Sequence, residues 1–227
     1  MSSDLATPSG RLADRPPTRV ELSDLSNAEF FETYAAPGRV GLVGGESLIE
    51  KAIRRAQRRQ RDDRSWSDWG HVFLCEGRRA DGQHWVLESD LDPHRERTQL
   101  GVQENPIQKY LDEGAYPYLA ILDFGLDEGQ VQAMMAEGLR LLADRTQYSL
   151  REIAALYWKL KRPGERSEDN RFDQGERAMF CSAFVQHLYL KVGIDFAPEV
   201  ATKLTTPEDI AQTLVPHTAY VLLRPRG

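Results

Sequence analysis

Only two cysteines, Cys75 and Cys181, occur in the 227 residues, and they stand far apart. That count excludes a disulfide framework and any zinc site built on paired thiolates. The chain has no C-x-x-C, no H-E-x-x-H, no G-x-S-x-G and no phosphate-cradling glycine loop. Dithiol redox, zinc-peptidase, serine-hydrolase and nucleotide-binding chemistries therefore have no footing, and neither a metal nor a cofactor is expected. No apolar run approaches the length that spans a bilayer. The stretch from Met1 to Arg19 carries Pro8, Pro16 and Pro17 and no apolar core segment. It reads as a disordered tail over residues 1–20 and not as a secretory signal. The expectation that follows is a cytoplasmic protein, or an effector delivered by a dedicated machine.

What is present fits one soluble enzyme-sized unit, residues 21–227, with 41% hydrophobic residues and a net charge of −6. Helices are expected over Ser26 to Tyr34, from Ser47, around Pro106 to Leu111, from Asp127, from Ser149 and from Thr206. Strands are expected after Pro37-Gly38, at His71 to Cys75, at His84 to Asp90, at Tyr118 to Leu122 and at Tyr220 to Leu223. The helix capped by Ser47 should turn Leu48, Ile49, Ala52, Ile53 and Ala56 inward. The helix capped by Asp127 should bury Val131, Met134, Met135, Leu139 and Leu142. In the helix opened by Ser149, Ile153, Leu156, Tyr157 and Leu160 share one face. Lys161 to Asp173 reads as a charged loop.

Cys181 begins an amphipathic pattern, in which Cys181, Phe184, Val185, Leu188 and Val192 recur at helical spacing before Gly193 ends it. A cysteine in the first turn of a helix meets unpaired backbone N–H groups and the positive end of the helix dipole. Those favour a thiolate, and the same N–H groups can receive the oxyanion that its attack creates. Among the five histidines, His187 lies on a different face of the same helix. His84, His94 and His217 read as strand-end or surface residues. His71 follows Trp69-Gly70 and opens the apolar strand through Cys75. The turn Ala80 to Gln83 pairs that strand with the next one, where Glu88 and Asp90 share a face. A carboxylate there can orient an imidazole and stabilise it when charged.

Histidine, a carboxylate one hairpin later, then Cys181-Ser182 at a helix start: in this order the residues resemble the YiiX/YaeF-like group. These are circularly permuted, papain-like hydrolases related to the NlpC-like peptidases and to lecithin retinol acyltransferase. The matching stretches are Gly38 to Gly45, Ser67 to Val72, Val86 to Glu88 and Phe180 to Val185, within Pro37 to Ile210. Gln147-Tyr148-Ser149 stands where the group has a tyrosine–aspartate pair. This chain departs at Arg39, Gly70, Ser149 and Ala183, where the group has aspartate, serine, aspartate and glutamate. The resemblance implies an α+β fold of the permuted papain-like (NlpC-like) kind, with an antiparallel sheet packed against the nucleophile helix. It implies Cys181 as nucleophile, His71 as base and Glu88 as orienting acid, with Tyr148, Ser182 and Asp90 as pocket or oxyanion support.

The expected activity is that of a cysteine hydrolase or acyltransferase cleaving an amide, ester or thioester of an acyl, lipid or peptide substrate. The alternative is a binding module that keeps the fold with the triad unused. Glu88→Gln is expected to cripple turnover at little cost to stability. One charged feature stands apart: a basic stretch containing Arg54, Arg55, Arg58 and Arg59 in an otherwise acidic chain. As an outward helix face these arginines would meet an anionic membrane surface. No interleaved aromatics accompany them, so nucleic acid is not an expected partner.

Overall fold

The computed structural model describes residues 16–57, 65–92, 99–144 and 181–224. The strands are β1 (Thr18–Leu22), β2 (Val40–Gly44), β3 (His71–Arg78), β4 (His84–Asp92), β5 (Gln99–Pro106), β6 (Tyr118–Asp123) and β7 (Thr218–Leu223). The helices are α1 (Asn27–Tyr34), α2 (Leu48–Ala56), α3 (Glu128–Ala143), α4 (Cys181–Leu190) and α5 (Pro207–Ala211). All seven strands form one sheet in the order β1-β7-β6-β2-β3-β4-β5. Every pairing is antiparallel except that of β1 with β7.

The central strands β2, β3 and β6 are apolar runs because both faces of the sheet are covered. On one face Val40, Leu42, Val72, Leu74, Leu87, Ala120 and Val221 pack against Met134 of α3, Phe184 and Leu188 of α4, and Ile210 of α5. On the other, Val43, Phe73, Cys75, Val86, Leu119 and Ile121 meet Phe30 and Phe31 of α1 and Tyr110. The close seat of α3 depends on Gly138, where a Cβ would stand 2.2 Å from Leu87. The result is an α+β fold with the Cys181 helix packed on an open, largely antiparallel sheet.

Several expected features sit differently in the structure. Thr18–Leu22 is a strand, although the expectation ran a disordered tail to residue 20; its exposed, mixed pattern is that of an edge and carries little periodic signal. Strand β5 was not among those expected; polar Gln103 and Asn105 are buried on it and mask its alternation. On α3 Met134 is buried as expected and Met135 and Leu142 are partly buried against the core, but Leu139 is 47% exposed and Gly138 and Leu141 are buried in its place. Helix α2 is rotated relative to the expectation, with Ile53 and Ala56 half-buried. Leu48 is 87% exposed and Ala52 is exposed, while Arg54 and Gln57 are buried. The Ile49 side chain, and the helix and loop expected from Ser149 to Asp173, lie outside the described residues.

Candidate active site

Leu74 stands opposite Leu87 in the β3–β4 ladder, which places His71 and Glu88 together on the other face of the sheet. The His71 Nε2 lies 2.7 Å from Oε2 of Glu88. Cys181, first residue of α4, lies close enough to the same ring for its sulfur to act on it by charge and hydrogen bonding. With Nε2 committed to the carboxylate, Nδ1 is the nitrogen left for the sulfur. Cys181 is half-buried, so the contact is reachable from solvent, and the His71 ring is almost wholly covered.

Glu88 is completely buried and receives four donors. Besides His71, its Oε1 accepts from Asn105 Nδ2 and Lys109 Nζ, each at 2.7 Å, and its Oε2 accepts from the Tyr110 hydroxyl. Burial works against the charge, but the Lys109 ammonium and the His71 hydrogen bond outweigh it and hold the carboxyl well below the usual range. Lys109 also reaches Asp90 Oδ2 at 2.6 Å. The same balance is tipped upward at His71. Burial alone would favour the neutral ring, yet the sulfur of Cys181, then Glu88 and Asp90, push it well above the ordinary imidazole value. The ring is thus set to carry a proton between a sulfur and a carboxylate, the arrangement a thiol nucleophile needs.

One more carboxyl borders the ring. Glu50, in the first turn of α2, accepts from the Ser47 hydroxyl at 2.9 Å and from the Gly45 N–H. Its stem fills the space that a side chain at Gly70 would take, since a Cβ there would stand 3.0 Å from Glu50 Cβ. Burial pushes its carboxyl up, although the charge of His71 pulls the other way.

No family model matches the chain, and no curated protein does. Among solved structures, it is similar to that of metalloprotein yiiX from Escherichia coli O157:H7. The two share 13% identity and a TM-score of 0.48, over 85% of this chain and 99% of that one. A likeness at that level decides nothing about chemistry. Among the described residues, no group of three or more His, Cys, Asp or Glu is placed to hold a metal ion.

Of the residues singled out by sequence, Cys181, His71 and Glu88 come together and Asp90 joins them through Lys109. Ser182 does not face the site: its hydroxyl is buried and donates to the Thr205 carbonyl at 2.6 Å. Tyr148 lies outside the described residues. Arg54 is no surface arginine. It is buried, donating to the carbonyls of Ser67 (2.9 Å) and Gly45 (3.1 Å) and stacking over Tyr118. Those loop carbonyls have no strand partner, and the guanidinium supplies their donors. Arg55 is exposed and lies over Trp66, while Arg58 and Arg59 are outside the described residues. Sequence reasoning missed Asn105, Lys109, Tyr110 and Glu50. Reading β5 and its turn Ile107–Tyr110 as the third strand of the hairpin would have found the first three. Cys75 is wholly buried, its thiol pushed up to about 12, and so is a packing residue.

Proposed function

We propose that this chain is a cysteine hydrolase or acyltransferase that works through a thioester on Cys181. The observation that carries this reading is the chain of contacts from the Cys181 sulfur through His71 to the buried, ionised Glu88. A carboxylate with four donors in a closed pocket exists at a considerable desolvation cost, and holding an imidazolium in one orientation is what it accomplishes. In the proposed reaction His71 takes the thiol proton and the sulfur attacks the substrate carbonyl carbon. The charge moves to the carbonyl oxygen, which the Cys181 N–H at the start of α4 stabilises. His71 returns the proton to the leaving amine, alkoxide or thiolate as the C–N, C–O or C–S bond breaks. Water or another acceptor, deprotonated by His71, then releases the acyl group and restores the thiol.

The substrate is an acyl compound, with lipid esters and acylated amines to be tried before peptides. An anionic membrane surface remains a candidate partner through the outward Arg55 and the residues after it, without Arg54. The test is chemical and independent of knowing the substrate. Iodoacetamide should alkylate Cys181, and not Cys75, at about pH 6, where an ordinary thiol is almost unreactive. Activated thioesters and esters should leave an acyl adduct on Cys181, detectable by intact mass, that His71→Ala abolishes. Labelling no faster than a free thiol, with no adduct from any acyl donor, would reduce the chain to a binding module.

A further inference from the structure

We propose that the segment Thr205 to Glu208 is a brace that sets the spacing between nucleophile and base, with Glu208 as a positioning residue for His71. The inference rests on the triad reading above and adds residues that touch neither the substrate nor the reacting atoms. At one end, Ser182, the neighbour of Cys181, donates its hydroxyl hydrogen to the Thr205 carbonyl at 2.6 Å. At the other end, the Glu208 carboxylate accepts from the Ser67 hydroxyl, whose oxygen accepts the Trp69 N–H at 3.0 Å. The Glu208 N–H donates to Gln57 Oε1 at 2.8 Å, and Gln57 Nε2 donates to the Trp69 carbonyl, also at 2.8 Å. Trp69 is therefore held at both its N–H and its C=O, two residues before His71. Gly70 between them donates to the Val43 carbonyl at 2.8 Å, which registers the strand start on the sheet.

The span between the two ends is stiff. Thr206 and Asp209 form a reciprocal capping box, and Pro207 fixes the first helical position of α5. Gln212, one turn on, donates to Glu208 Oε1 at 2.6 Å and fixes the carboxylate itself. The members that join the two ends are buried, Ser182, Thr205, Glu208, Ser67 and Gln57 all being under 4% exposed, while Gln212 is exposed. An apolar residue at 208 would fill the same space on α5 and keep the backbone N–H bond to Gln57, but it would lose the carboxylate's tie to Ser67. A buried carboxylate at this place is thus explained by the orientation it imposes, since burial itself does not favour it. Displacements well under an ångström between nucleophile and base are enough to lose most of the benefit of their contact.

The experiment measures the alkylation rate of Cys181 by iodoacetamide across pH, by intact mass on the full chain, well below the melting temperature. Glu208→Ala should lose roughly tenfold or more of the acid-side rate and drift toward the profile of a free thiol. Glu208→Gln should stay within about threefold of the wild type, because Gln212 can turn its amide to accept and the Ser67 tie survives. A loss of stability alone would lower both melting temperatures without separating the two pH profiles. Ser67→Ala, which removes the tie from the loop side, should shift the profile in the same direction, and it carries the test if Glu208→Ala does not fold. A folded Glu208→Ala or Ser67→Ala protein with the wild-type profile overturns the brace. A wild-type protein without acid-side reactivity overturns instead the triad reading beneath it.

Discussion

Glu88 is satisfied by four donors at once, so its replacement touches more than the imidazole. Glu88→Gln keeps the shape but removes the charge that balances Lys109 and forces an amide N–H₂ toward at least one donor. The expected cost is about 3 kcal/mol of stability, measured by urea unfolding, together with a fall of roughly a hundredfold or more in Cys181 acylation. The expectation from sequence was a nearly neutral change in stability, and the four donors argue for a larger one. Asp90→Asn, at the half-exposed end of the Lys109 pair, should cost far less of both. If Asp90→Asn were the crippling change, the role given to Glu88 would be wrong. Tyr110→Phe separates packing from hydrogen bonding. The ring stays stacked on Phe73, at 4.9 Å between centroids, and only the hydroxyl donor to Glu88 is lost. A loss of about 1.5–3 kcal/mol, with alkylation of Cys181 preserved near neutral pH, is the outcome expected for a supporting donor. The grouping of His71 with Glu88 was legible only in part: residue types and order pointed to the two strands, but it is the bulge between Cys75 and Gly77 that shifts the register and puts Glu88 on the His71 face. The donors to Glu88 were not legible, since Lys109 and Tyr110 read as ordinary members of a short helix around Pro106 to Leu111.

At the scale of elements, α2 shows why periodicity points the wrong way. Its most buried side chains are Arg54 and Gln57, and each spends its donors on loop carbonyls: Ser67 and Gly45 for one, Trp69 for the other. An apolar stripe predicts the inward face only where the neighbouring element is itself apolar. Here the neighbour is a loop whose backbone needs donors, so the polar stripe turns in and Leu48 turns out. Arg54→Gln should therefore lower stability by about 2 kcal/mol, whereas the exposed Arg55→Gln should change it by less than about 0.5 kcal/mol. Chemical denaturation of the two variants decides the matter, and equal effects would contradict the burial. Vesicle binding gives the complementary reading: only the outward arginines can contribute to it. Helix starts, by contrast, were legible. The helices expected at Ser26, Asp127 and Thr206 begin there, each with a capping box, and at Ser47 the hydroxyl accepts the Glu50 N–H, because that signal is local and needs no knowledge of the neighbour. The edges of the sheet were the least legible, as β1 and β5 have neighbours on one side only and carry mixed patterns.

Across the whole molecule, the titration of the site and of the α3–α4 contact sets how stability follows pH. Glu88 is held well below the usual carboxylate range, by Lys109 and His71 against burial. Glu137, on α3, is lowered to about 2, chiefly by hydrogen bonds from Arg140 and also by His187 of α4. A carboxyl lowered in the folded state binds fewer protons there than in the unfolded chain. Its contribution is complete above the unfolded value of about 4.3 and is lost as pH falls through the folded value. His71 runs the other way. Its folded value is raised, so its contribution is complete below the unfolded value of about 6.5 and fades as pH rises through the folded one. The summed contribution of these three groups is accordingly greatest between about pH 4.5 and 6.5, falling toward acid and toward alkali. Urea midpoints measured along a pH series test this, and two variants divide the result. Glu137→Gln should flatten the acid limb near pH 2 to 4 without touching Cys181 alkylation, because its partners lie on α3 and α4 away from the dyad. His71→Gln should flatten the alkaline limb and abolish acylation together, since there the group that loses its proton is the same one the reaction uses.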